Sequence, residues 1–174
     1  MTIAPDYAEP FEAWRVWRVV RRDGMYSLGS VIQRALWPAG EAFIADCLRA
    51  PRLFSRVRRK QPHDAPDARC ECGIYAAALE RVGQYLADAP CRGVSRVLGK
   101  VALWGTVIEC DRGFRASVAY PTRIYIPSDV GKPWRVDWDE VAIGLWRYGV
   151  PIEALASSSA DAPRVLAELH AAAA

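Results

Sequence analysis

The sequence predicts an α+β fold: a mostly antiparallel sheet, curled or barrel-like, with several flanking helices. Three observations lead there. The strongest strand candidates flank turn signals, the pattern of hairpins rather than crossovers. Helical spacing comes in clusters instead of alternating regularly with strands, which disfavours a doubly wound parallel sheet. With 174 residues, 52% apolar and 25% charged, one domain spanning residues 1–174 can bury a core without disulfides. Residues 1–10 and 170–174 read as flexible tails around it.

Taken in order, "EAWRVWRVVRR" (12–22) is rich in Trp and Val and alternates loosely, which suits a strand. Asp23-Gly24 is a turn signal, and "MYSLGSVIQRALW" (25–37) can return antiparallel to it. Residues 37–40 break the pattern. "EAFIADCLRA" (41–50) then places Phe43, Ile44, Cys47 and Leu48 at helical spacing. Residues 51–69 hold three prolines and little periodicity, so they form a long loop of the kind that tends to carry function. "GIYAAALERVGQYLADA" (73–89) reads as a short entry and a helix that Pro90 ends.

The clearest element is "GKVALWGTVIECDRGFRASVAYPTRIYIP" (99–127), two β-branched and aromatic runs around Asp111-Arg112-Gly113. Val101, Leu103 and Val107 fall on one face of its first strand; Ala102, Trp104 and Ile108 fall on the other. With both faces apolar, that strand is expected to be central. Gly105 suggests a bulge or a close backbone approach, and Pro121 a bulge or an edge position. "WDEVAIGLWRYG" (138–149) reads as an amphipathic helix with a glycine stop, and Ser159 or Asp161 can cap another near the end of the chain.

Composition narrows the function classes. The net charge is only +3, but residues 1–69 carry 12 Arg and Lys against 8 Asp and Glu, so attraction to anions would come from that part. The basic residues are 20 Arg and 3 Lys and there is no Asn, a skew that a GC-rich bacterial coding sequence produces by itself. No stretch approaches the roughly 20 apolar residues of a membrane span, and the opening residues lack the apolar core of a signal peptide. Five cysteines, an odd number without a secretion signal, favour reduced thiols in the cytoplasm.

Cys47, His63, Cys70 and Cys72 form the pattern C-x15-H-x6-C-x-C. Three thiolates and one imidazole are a tetrahedral zinc set, since soft sulfur and borderline nitrogen both suit Zn2+. With all four positions supplied by protein, the zinc would be structural. In a regular strand Cys70 and Cys72 point to opposite sides, so one metal can take both only if the chain turns, and Gly73 supplies that freedom. The competing reading is plain burial, because cysteine often serves as a small hydrophobe. An enzyme alternative makes Cys70 or Cys72 a nucleophile with His63 as base and Asp64 or Asp67 orienting it, although no thiol-enzyme signature surrounds them.

Arg49, Arg52, Arg56, Arg58, Arg59 and Lys60 put six cations into twelve residues beside this pattern, a candidate phosphate contact that Arg15, Arg18, Arg21 and Arg22 can extend. The plainer reading is a solvated basic loop. Seven tryptophans invite a stacking platform, yet Trp104 and Trp146 read as core and Trp134 as the best candidate for exposure. Cys91 and Cys110 read as structural, and His170 as a solvated tail residue. P-loop, G-x-G-x-x-G, H-E-x-x-H and G-x-S-x-G motifs are absent. The expected role is a non-catalytic binding or regulatory module for nucleic acid or a protein partner, away from membranes.

"CECGIYA" followed by "GKVALWGTVIECDRGFRASVAYP" resembles a family of small bacterial proteins carrying a C-x-C-G-I-Y-A element and an L-W-G…G-x-R-A-x-x-A-Y-P hairpin. The resemblance covers about residues 47–127. It implies no activity, but it implies that the C-x-C and the hairpin form one unit.

Overall fold

A computed structural model describes residues 7–33, 35–47, 63–78, 81–82, 96–127 and 137–155. Its elements are β1 (Tyr7–Arg22), β2 (Met25–Ser30), β3 (Phe43–Ile44), β4 (Ile74–Ala77), β5 (Arg96–Cys110), β6 (Gly113–Pro127), α1 (Trp138–Leu145), a 3-10 turn (Trp146–Tyr148) and β7 (Ile152–Leu155). All seven strands belong to one sheet.

The expected α+β class is corrected to a mainly-β fold. Among the described residues α1 is the one α-helix longer than a turn, so the several flanking helices are not found. The stretch 41–50 fails as a helix because Phe43 and Ile44 pair antiparallel with Ala119 and Val118 of β6. Open hydrogen-bonding groups on a neighbouring strand outweighed a weak local preference. The stretch 73–89 opens as β4, its Ile74, Tyr75 and Ala76 alternating buried, exposed and buried. Residues 83–89 lie outside the described residues, as do Ser159, Asp161, Trp134, Cys91 and His170. The sheet curls until Ala77 of β4 pairs with Trp14 of β1, but a single residue pair does not close a barrel. Residues 7–10, read as tail, are strand.

The β5–β6 hairpin is the spine. It pairs from Cys110–Gly113 to Leu98–Tyr125, and β5 lies between β6 and β1, so the central position follows the sequence reading. Both suspected irregularities are present. The register shifts between Trp104 and Val107, where Gly105 has φ +70°. It shifts again where Lys100–Arg123 is followed by Val101–Pro121, leaving Thr122 as the extra residue. Asp23 and Gly24, at φ 50° and 77°, make the tight β1–β2 connection.

The main core gathers Trp17, Leu28, Trp37, Val101, Leu103, Val107, Ile124 and, from α1 and its turn, Val141, Leu145 and Tyr148. Asp137 caps α1 by accepting from the backbone N–H groups of Asp139 (2.9 Å) and Glu140 (3.3 Å). Gly149 ends the following turn at φ 67°. Trp146, read as core, is 78% exposed, because Leu145 and Tyr148 occupy the sheet-facing side of this turn. Trp104 is half-buried.

The buried Tyr148 hydroxyl joins two strands of chain to the helix side: it accepts from Leu28 N–H at 2.9 Å and donates to Trp37 C=O at 2.8 Å. Tyr148→Phe should therefore cost about 1–3 kcal/mol, since both backbone groups lose a partner inside the core. A urea titration checks this: the midpoint should fall at unchanged slope, and an unshifted midpoint would refute it.

Candidate metal centre

The edge of β6 away from β5 is covered in pieces. β4 pairs with Gly113–Ala116, β3 with Val118–Ala119, and β7, running parallel, with Ile124–Pro127. The seam between β3 and β4 falls at Ser117, whose carbonyl accepts from Ala45 N–H at 2.7 Å. Cys47 lies two residues beyond Ala45, and the segment 63–73 leads into β4 from the other side.

Cys47, His63, Cys70 and Cys72 converge at this seam. Their ligand atoms all lie within 4.8 Å of one another. Cys47 Sγ is 3.9 Å from Cys70 Sγ, and His63 Nε2 is 3.3 Å from Cys72 Sγ. A tetrahedral ion with Zn–S bonds of about 2.3 Å sets its sulfurs about 3.8 Å apart, close to the first separation. The cluster can hold a metal ion.

Local chemistry explains how two cysteines one residue apart face the same point. Asp67 accepts from Arg69 N–H at 2.7 Å through its side chain and from Cys70 N–H at 3.1 Å through its carbonyl, an aspartate-initiated turn. The backbone at residues 70–73 is not strand. Gly73 has φ +119°, and a Cβ there would lie 2.9 Å from Pro66 Cβ and 3.2 Å from Arg115 Cβ. Only glycine meets both demands.

Burial raises the Cys70 thiol, but the Cys72 backbone N–H and the Cys72, Cys47 and His63 side chains outweigh it and bring the thiol down to about 7. Burial pushes the Cys72 thiol up; Asp67 N–H opposes this, and the neighbouring sulfurs of Cys70 and Cys47 reinforce it. Donor groups and competing charges thus make the sulfurs a coupled set.

Around Cys70 and Cys72 the described apolar partners are Ala65, Ala45 and Cys47.

One residue beside the cluster escaped the sequence reading. Arg115 on β6 is 3% exposed and donates from Nη1 to the carbonyls of Cys70, Cys72 (3.1 Å) and Asp67 (3.4 Å). Its Cζ lies 6.0 Å from the centroid of the Tyr75 ring, and the Tyr75 hydroxyl donates to Glu71 C=O at 2.7 Å. The only sequence signal was its place in the G-x-R-A segment of the hairpin.

The remaining candidates separate from this centre. Arg49, Arg52, Arg56, Arg58, Arg59 and Lys60 lie outside the described residues. Arg15 does not extend a solvent-facing patch: its guanidinium lies 4.7 Å from the Trp37 ring centroid and bonds Tyr75 C=O and Ser30 Oγ. Arg21 sits over the Tyr26 ring, and Arg22 pairs with Asp23. Cys110 donates to Gly113 C=O at 3.3 Å. Among the described residues no helix is long and apolar enough to cross a membrane. Comparisons with family models, with curated proteins and with solved structures return no match.

Proposed function

We propose that the protein is a small, non-catalytic binding module whose fold is completed by a structural Zn2+ held by Cys47, His63, Cys70 and Cys72. The convergence of these four side chains carries the reading. The donor set selects the ion: three sulfurs and an imidazole favour zinc over magnesium or calcium, which take oxygen. Four protein ligands fill a tetrahedron and leave no position for a reacting water, so the bound ion would supply cohesion rather than chemistry. Reduced thiols of this kind fit a cytoplasmic setting.

The partner this reading favours is nucleic acid. Arg52, Arg56, Arg58, Arg59 and Lys60 lie in the segment between Cys47 and His63. Because those two residues meet, a bound metal would join the two ends of that segment. Phosphate contacts from such a segment would be sequence-independent and steeply salt-dependent.

Metal analysis of protein purified without a histidine tag tests the central claim: about one zinc per chain is expected for a closed four-ligand site. Folded protein with no stoichiometric metal would overturn it. Binding to nucleic acid should weaken as salt rises, and salt-insensitive binding would count against the basic segment. The thiol-enzyme alternative draws on the lowered Cys70 thiol. However, His63 also contacts Cys72 at 3.3 Å and all four ligand atoms lie within 4.8 Å, so the histidine is shared by the cluster rather than dedicated to one sulfur. Alkylation of Cys70 by iodoacetamide that zinc does not suppress would revive it.

A further inference from the structure

We infer that Arg115 is the positioning residue of the metal centre: its guanidinium shapes the Cys70–Cys72 turn so that both sulfurs face one ion, and its charge balances the thiolates. The inference rests on the metal reading above.

Geometry comes first. Nη1 reaches carbonyls of Asp67, Cys70 and Cys72, which are the start of the turn and both of its ligand residues. A cysteine pair spaced C-x-C has few backbone shapes that aim both sulfurs inward. Fixing the carbonyls of residues 67, 70 and 72 on one donor group selects among them. Arg115 is itself held: it lies in β6, where Arg115 pairs in register with Tyr75, and its Cβ is 3.2 Å from where a Gly73 Cβ would stand. The rigid hairpin thereby dictates the shape of the segment opposite.

Charge follows. Zn2+ bound by three thiolates and a neutral imidazole carries a net charge of about −1, which is costly to bury without a counter-charge. Arg115 is buried and has no carboxylate partner among the described residues. Its positive charge is therefore available to the cluster. Outer partners that orient and balance ligands in this way typically change metal affinity by 10–100-fold when removed.

Arg115→Met and Arg115→Lys separate shape from charge. Zinc affinity would be measured by competition with a chromophoric chelator, and ligand geometry by the visible spectrum of the Co2+-substituted protein. Arg115→Met should bind zinc about 10–100-fold more weakly and give a weaker or shifted tetrahedral Co2+ band. Arg115→Lys should recover part of the affinity but not the spectrum, since an ammonium lacks the planar fork. Wild-type affinity and spectrum in Arg115→Met would overturn the role. Should Arg115→Met fail to fold, Arg115→Lys decides: unchanged affinity and spectrum refute the inference, and a loss supports it. A wild-type protein that takes up no zinc would instead overturn the metal reading itself.

Discussion

Stripping zinc from the purified protein should lower its unfolding free energy by about 3–6 kcal/mol, the largest single effect expected. The lower figure comes from chain entropy. Cys47 and His63 bracket a segment of roughly 15 residues, and a cross-link closing such a loop contributes about 3 kcal/mol. A bound ion would also tie Cys70 and Cys72 into the same knot, which closes further chain. The effect stays below the 10–16 kcal/mol of peptides that fold only with metal, because the β5–β6 spine has its own apolar core. Urea unfolding of zinc-loaded and chelator-treated protein measures it. Cys72→Ser should reproduce the loss, and chelator should then add nothing further to that variant. Equal midpoints for loaded and stripped protein would refute the expectation.

Trp17→Ala should cost about 3–5 kcal/mol, the usual range for deleting a fully buried aromatic. Trp17 has 0% exposure and meets the Trp37 ring edge-on, with centroids 5.4 Å apart. Trp37 stacks in turn on Phe43 at 5.0 Å, and Phe43 is half of β3. The backbone has been cleared for this ring: a Cβ at Gly99 would stand 2.8 Å from it and 2.1 Å from Arg123 O. Such a cavity cannot collapse without moving β5 against β6, so relaxation should recover little. Thermal and urea unfolding both read the loss; a cost below about 1 kcal/mol would show that the row of rings is not load-sharing. Because Phe43 begins the run of chain that ends at Cys47, the same variant should also hold zinc less tightly.

Particular residues show what the sequence made legible. The β5–β6 hairpin was readable because alternation, a turn signal and two irregular positions, Gly105 and Pro121, all act locally. The four converging residues were readable as a candidate set because so few residue types bind zinc. The helix expected at 41–50 was not readable as strand, since what makes Phe43 and Ile44 extended is an open edge about 75 residues downstream. Likewise β4 hides in a run of alanines, where strand and helix patterns look the same. Arg115 was invisible for two reasons. In a chain with 20 arginines one more carries no signal, and its acceptors lie 43 to 48 residues upstream.

The patchwork along β6 has a consequence for how the protein behaves in a crowded solution. A fifteen-residue strand whose outer edge is covered by segments of four, two and four residues is a template guarded by small tenants. Two of the three, β3 and β4, adjoin the cysteine cluster. If they let go, a long row of unpaired backbone groups would face outward, ready to recruit the same strand from another copy. A metal held at the cluster would then safeguard solubility as much as stability. Zinc-depleted protein should gain mass by light scattering before its tryptophan core unfolds.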